Sequence, residues 1–231
     1  MSLNFTTTDK ASANHGIKAL VYGAAGSGKT SLCGTAPSPL IISAEAGLLS
    51  LRSQSHPVLT INNAAELDEA FNWCQMEAVK NGIKTVCLDS ISEIVEQILK
   101  DEKSKTKDPR AAYGEMANKA IDIAKRFRDL PGLHVLITAK QVTATDPITG
   151  VAKAQPTAPG QQVGPALPYL TDLVLHAATD KDAEGKTFYY LRTRAAFNAE
   201  AKDRSGALDE LEYPNMTNII QKVLAAPTTA Q

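Results

Sequence analysis

The chain has 231 residues, enough for one sizeable domain with a buried core. Its 24 Lys and Arg against 25 Asp and Glu give no global field that points to nucleic acid or membrane, although a local basic face stays open. Three cysteines without a C-x-x-C pair and four scattered histidines support neither a disulfide framework nor a zinc site, and no window approaches the ~20 apolar residues that cross a bilayer. With its polar start, "MSLNFTTTDKASANHG", the chain reads as cytoplasmic, with no membrane partner.

In chain order, "IKALVYG" (17–23) and "PLIISAE" (39–45) are short apolar runs that read as buried strands. "NAAELDEAFNWCQMEAVKNG" follows as a helix, with capping-box spacing between Asn63 and Glu66, one face built from Leu67, Ala70, Phe71, Cys74 and Ala78, and Gly82 as its stop. "KTVCLD" (84–89) is a third strand. "SISEIVEQILKDEK" is a helix with Ile91, Ile94, Val95, Ile98 and Leu99 on one face, and "AAYGEMANKAIDIAKRFRDL" another, with Met116, Ala120, Ile123, Ala124 and Phe127. "LHVLIT" (133–138) is a fourth strand. Beyond residue 170, "TDLVLHAA" and "KTFYYLRTR" flank a turn-rich stretch and read as an antiparallel pair, and "PNMTNIIQKVL" makes a last helix. The fold class is α/β, a mostly parallel central sheet flanked by helices, with a C-terminal antiparallel strand pair. The expected organisation is a flexible segment over 1–15, one domain over 16–224 and a disordered tail over 225–231.

"GAAGSGKT" supplies the chemistry. Gly23, Ala24, Ala25, Gly26, Ser27, Gly28, Lys29 and Thr30, with Ser31 next, match G-x-x-x-x-G-K-[ST] directly after the first strand. Polyphosphate needs backbone N–H groups at close range, which the glycines permit, and the following helix adds its positive end. Lys29 is placed to contact β- and γ-phosphates of ATP, and the Thr30 hydroxyl to ligate Mg²⁺. Asp89 ends a strand where a second Mg²⁺ contact belongs; it also precedes a helix, so an N-cap role is open beside it. Glu45 closes the second strand on the same edge of the sheet, positioned to orient or deprotonate a water, with an exposed strand-end carboxylate as the alternative.

This order of parts, through "SAEAG", "CLDS" and "LITAKQ", resembles the RecA-type P-loop NTPase core. It is especially similar to the compact (Sak-type) RecA-like ATPases of bacteriophages that act in single-strand annealing recombination. The likeness runs from about Gly16 to Gly206. It implies that Glu45 is the catalytic glutamate and that the end of "LITAKQ" senses the γ-phosphate. RecA has Gln where Lys140 stands, so Lys140 and the adjacent Gln141 both remain candidates. "KDRSG" resembles the K-x-R-x-G segment that such proteins project into a neighbour's site, so Lys202 and Arg204 would neutralise γ-phosphate charge in trans, ahead of Arg192 and Arg194. "FTTT", Phe5 to Thr8, resembles an F-x-x-A tether to the next subunit, with Thr8 in place of Ala.

The resemblance further implies a homo-oligomer, ring or filament, that binds single-stranded DNA and works beside a single-strand-binding protein. Residues 100–128 carry nine Lys or Arg against five acids, with Arg110 and Tyr113 available to phosphate and base, although a solvated helix end fits the same charges. Residues 143–168 carry five prolines, three glycines and two charges, a composition that reads as a long functional or disordered loop, and the resemblance implies a DNA-channel loop there that orders on single-stranded DNA. Two rival readings are a small-molecule or nucleotide kinase, with 107–126 as a lid, and a non-catalytic ATP switch that recruits DNA-processing partners.

Overall fold

The computed structural model describes residues 5, 7, 15–45, 47–145 and 149–226. Thr6, Thr8 and most of the expected N-terminal segment lie outside these residues, as does the tail from 227.

Strand β1 (Lys18–Gly23) is buried along its whole length and runs parallel to β5 (His134–Thr145) on one side and β7 (Leu173–Lys181) on the other. Continuing through β4 (Thr85–Asp89), β2 (Pro39–Ser43) and β3 (Val58–Thr60), the order β7-β1-β5-β4-β2-β3 is parallel throughout. The chain therefore leaves β1, passes over two strands and returns as β2. That reversal beside β1 opens a crevice at the carboxyl ends, where ligands settle in sheets of this class. On the β7 side the sheet turns antiparallel with β8 (Thr187–Arg192) and β10 (Leu211–Glu212). The fold is the expected α/β class, a mostly parallel central sheet flanked by helices, with its late antiparallel pair.

Alternation along β1 divides the core. Leu20 and Tyr22 face one apolar layer, Ala19 and Val21 the other. The first layer is roofed by α2 (Ala64–Glu77), α3 (Ile91–Lys105), α4 (Pro109–Arg128) and α5 (Val163–Leu170); the second is covered by α1 (Lys29–Cys33) and α6 (Met216–Ala225). The periodic residues anticipated on α3 and α4 are all buried, from Ile91 to Phe127. Asn63 caps α2 by accepting the Glu66 N–H at 3.0 Å, while Glu66 returns to accept the Asn62 N–H at 2.7 Å. Gly82, at φ 74°, takes the left-handed turn that ends this region.

The stretch 143–168 departs from the long loop expected of it. Residues Ala152–Thr157 form β6, antiparallel to the outer half of β5, and α5 follows with Val163 and Leu167 fully buried. Small side chains make this possible: Ala154 and Ala158 tuck into the core, and Pro156 is tolerated because β6 pairs along its length with β5, while its other side, among the described residues, meets 198–200 only through Ala154. The Tyr22 hydroxyl contacts the carbonyls of Ala154 (3.0 Å) and Glu200 (2.5 Å), fastening the hairpin and the segment beyond β8 to the central strand.

Candidate functional site

The loop after β1 places Gly26 at φ 77° and Gly28 at φ 87°, conformations that side chains resist and that turn the chain into α1 without a side-chain cap. Next to Gly26 the space is open, whereas a Cβ on Gly23 would meet the Ala177 carbonyl at 2.3 Å. The first glycine thus serves packing against β7, and the second leaves room above the loop. Lys29 folds back, its ammonium donating to the carbonyls of Gly23 (2.8 Å) and Ala24 (2.9 Å). Burial lowers its pKa, with Asp89 and Glu45 opposing the shift. An anion in the loop would favour the charged form.

Asp89 is held from two sides. Thr30 Oγ1 donates to Oδ2 at 2.8 Å and Thr138 Oγ1 to Oδ1 at 2.6 Å, which joins α1, β4 and β5 through one carboxylate. The predicted metal ligands, Thr30 and Asp89, are therefore in contact. The helix cap belongs to the next residue: Ser90 Oγ accepts the Glu93 N–H at 3.4 Å. Glu45, just beyond β2, is joined to this group because Ser90 Oγ donates to its Oε1 at 2.9 Å. Ser43 fixes the same corner, with its hydroxyl donating to the Glu45 carbonyl at 2.6 Å.

These residues fit a Mg²⁺–nucleotide ligand. Hard oxygen donors from Thr30 and Asp89 suit a divalent cation, and Lys29 with the loop's N–H groups suits phosphate. Ser27 Oγ is buried in the loop without a partner, one of two such side-chain atoms among the described residues. No cluster of three His, Cys, Asp or Glu side chains suited to a metal occurs among the described residues, so a cation would rely on substrate oxygens as well.

The remaining predicted residues stand apart. Lys140 directs its ammonium to Glu93 and Glu96 on α3, and Gln141 pairs with His176 at 3.0 Å. Lys202 opens the short strand β9 (Lys202–Asp203), and its ammonium donates to the carbonyls of Pro168 and Thr171 at the end of α5. Arg204 keeps a 3.5 Å pairing with Asp172 and more than half its side chain exposed. Arg192 is bonded to Glu210 and Arg194 to the Leu208 carbonyl.

Four of the nine cations in the basic stretch 100–128 form ion pairs: Lys105 and Lys119 share Glu102 within it, while Arg126 meets Asp68 and Arg128 meets Asp129 outside it. Lys103 lies 5.3 Å from the centre of the Tyr113 ring, which also flanks the turn at Gly160. The sequence assigns no site contact to Thr138, Ser90 or Ser43, although each lies in a stretch that carries the resemblance and Ser90 stands with Asp89 at the start of the α3 pattern. The fold brings Thr138 to the Asp89 carboxylate and Ser90 to that of Glu45, while Ser43 holds the Glu45 backbone.

No helix among the described residues is long and apolar enough to cross a membrane. A family model described as an AAA domain matches residues 15–205. No curated protein matches the chain. Solved structures do, among them the KaiC-like protein PH0186 from the hyperthermophilic archaeon Pyrococcus horikoshii OT3, at 12% identity over 78% of this chain and 79% of that one, with a TM-score of 0.41.

Proposed function

Because the chain belongs to the AAA domain family and is a P-loop NTPase, we propose that it binds and hydrolyses ATP with Mg²⁺, self-assembles as a ring or filament, and pairs or anneals single-stranded DNA in phage-type recombination. The observation that carries the catalytic part is the continuous contact Thr30–Asp89–Ser90–Glu45 at the carboxyl edge of the sheet, beside the phosphate loop. In this reading Lys29 leaves the loop carbonyls for phosphate, Thr30 and Asp89 hold the cation, and Glu45 orients water and takes its proton. The cation neutralises phosphate charge when bound.

The DNA part is supported by placement and resemblance. The outer halves of β5 and β6 form a hairpin rising from the same edge as the phosphate loop, with Val142 and Thr143 exposed on it. A strand bound there would lie next to the nucleotide. The partly exposed Tyr113 ring offers a stacking surface.

Arg204 is the cation for a neighbour's site. Its backbone N–H bonds the Asp172 carbonyl, level with Lys18 at the start of β1, whereas the phosphate loop begins at Gly23. Five residues of strand separate the two levels by about 16 Å, so Arg204 serves a second subunit and Lys202 anchors the segment that carries it. A single-strand-binding protein is the further partner this role implies.

ATP turnover measured with and without single-stranded oligonucleotide tests the whole reading. The expected result is Mg²⁺-dependent hydrolysis that rises with DNA. A kinase would ignore DNA and require an acceptor, and a switch would bind ATP with negligible turnover; either outcome displaces the proposal.

A further inference from the structure

Ser90 has a donor direction that its surroundings fix. Its hydroxyl oxygen accepts the Glu93 N–H at the start of α3, so the hydroxyl proton is free to point elsewhere, and it points at Glu45 Oε1, 2.9 Å away. The residue is 3% exposed, which keeps water from competing for that bond. Glu45 itself sits on a chain segment past the end of β2, where, among the described residues, the Ser43 turn holds its backbone. Its side chain would otherwise rotate freely. The second oxygen, Oε2, accepts no hydrogen bond among the described residues and lies 3.9 Å from the position a Cβ on Gly47 would take.

From this we propose that Ser90 is a positioning residue for hydrolysis: it grips one oxygen of Glu45 so that the other faces the attacking water. The proposal rests on the reading of Glu45 as the base. Ser90 is bonded covalently to Asp89, so the carboxylate that meets the cation and the carboxylate that meets water are set by adjacent residues of one turn. A charge-assisted hydrogen bond confers orientation as well as energy, and misplacing a base by even an ångström slows chemistry more than binding.

The test is a double-mutant cycle on single-turnover ATP hydrolysis. Ser90→Ala should lower kcat about tenfold, the loss of one hydrogen bond to a charged group, with KM for ATP within about twofold of wild type. In a Glu45→Ala background the same Ser90→Ala change should alter the residual rate by no more than about twofold, because the residue it positions is gone. Ser90→Thr, which keeps both the helix-capping oxygen and the donor, should recover most of the rate. A tenfold loss repeated in both backgrounds would overturn the proposal and assign Ser90 to helix capping alone. If Glu45→Ala turns over like wild type, the base reading falls and the proposal with it, an outcome distinct from additivity.

Discussion

Lys18 is 2% exposed, and its ammonium donates to the carbonyls of Leu133 (2.7 Å) and Leu130 (3.3 Å) below the sheet. Burial, opposed by Asp172 and Asp129, lowers its pKa from 10.5 to about 8. Below about pH 8 both the folded and unfolded chains hold this proton, and between about 8 and 10.5 the unfolded chain holds it more tightly. Stability should therefore rise with pH in that window, by up to about 3 kcal/mol from this group. Urea unfolding at pH 8 and 9.5 checks this, with Lys18→Met expected to show the flatter dependence. At the nucleotide site, Lys29→Ala should abolish ATP binding by calorimetry, since the residue supplies the only cation touching the loop carbonyls among the described residues. Glu45→Ala should keep binding and lose turnover by about a hundredfold or more; retained turnover would remove Glu45 from its assigned role.

The elements differ in how they are held, and that difference decides what a single bond is worth. Tyr22 is fully buried on β1, yet its hydroxyl reaches β6 and the segment beyond β8 through the carbonyls of Ala154 and Glu200. Tyr22→Phe should cost about 1–3 kcal/mol in thermal or denaturant unfolding, because those acceptors stay buried after the donor is gone. The hairpin it fastens was the part of the fold least legible beforehand. Apolar runs such as those ending at Gly23 and Asp89 announced buried strands, and the 3.6-residue spacing of Ile91 to Leu99 announced α3. The stretch holding β6 and α5 puts Ala, Lys and Pro in a strand and Gly164, Pro165 and Pro168 in a helix, against their intrinsic preferences. Pairing with β5 and burial of Val163 and Leu167 override them. Of the site, the positions of the phosphate loop and both carboxylates could be read directly, since a glycine-rich motif after one apolar run and acids at the ends of two others mark them. Thr138 and Ser90 could not, because a lone hydroxyl acquires a role only from what tertiary structure sets opposite it.

At the scale of the molecule, the amino and carboxyl edges of the sheet carry complementary chemistry. The carboxyl edge holds the phosphate loop, Asp89 and Glu45, and the amino edge on the β7 side holds Arg204, paired at 3.5 Å with Asp172 and exposed. Bringing the two together requires a head-to-tail contact between different surfaces, which closes into a ring or continues as a filament. In such an assembly Arg204 leaves Asp172 for the neighbour's phosphate, a modest cost for an exposed pair. Lys202 stays with the carbonyls of Pro168 and Thr171 and keeps the segment rigid. Arg204→Ala should then bind ATP nearly as wild type and lose turnover by about tenfold to a thousandfold. Mixing it with Glu45→Ala protein is decisive, since in the proposed assembly each would be defective in a different partner of one shared site. At interfaces where an intact Glu45 meets an intact Arg204 from the other subunit, hydrolysis should return, reaching up to about a quarter of wild type in an equal, randomly mixed assembly. Mixtures shown by light scattering to co-assemble and yet no more active than their components would return Arg204 to the surface of a single subunit.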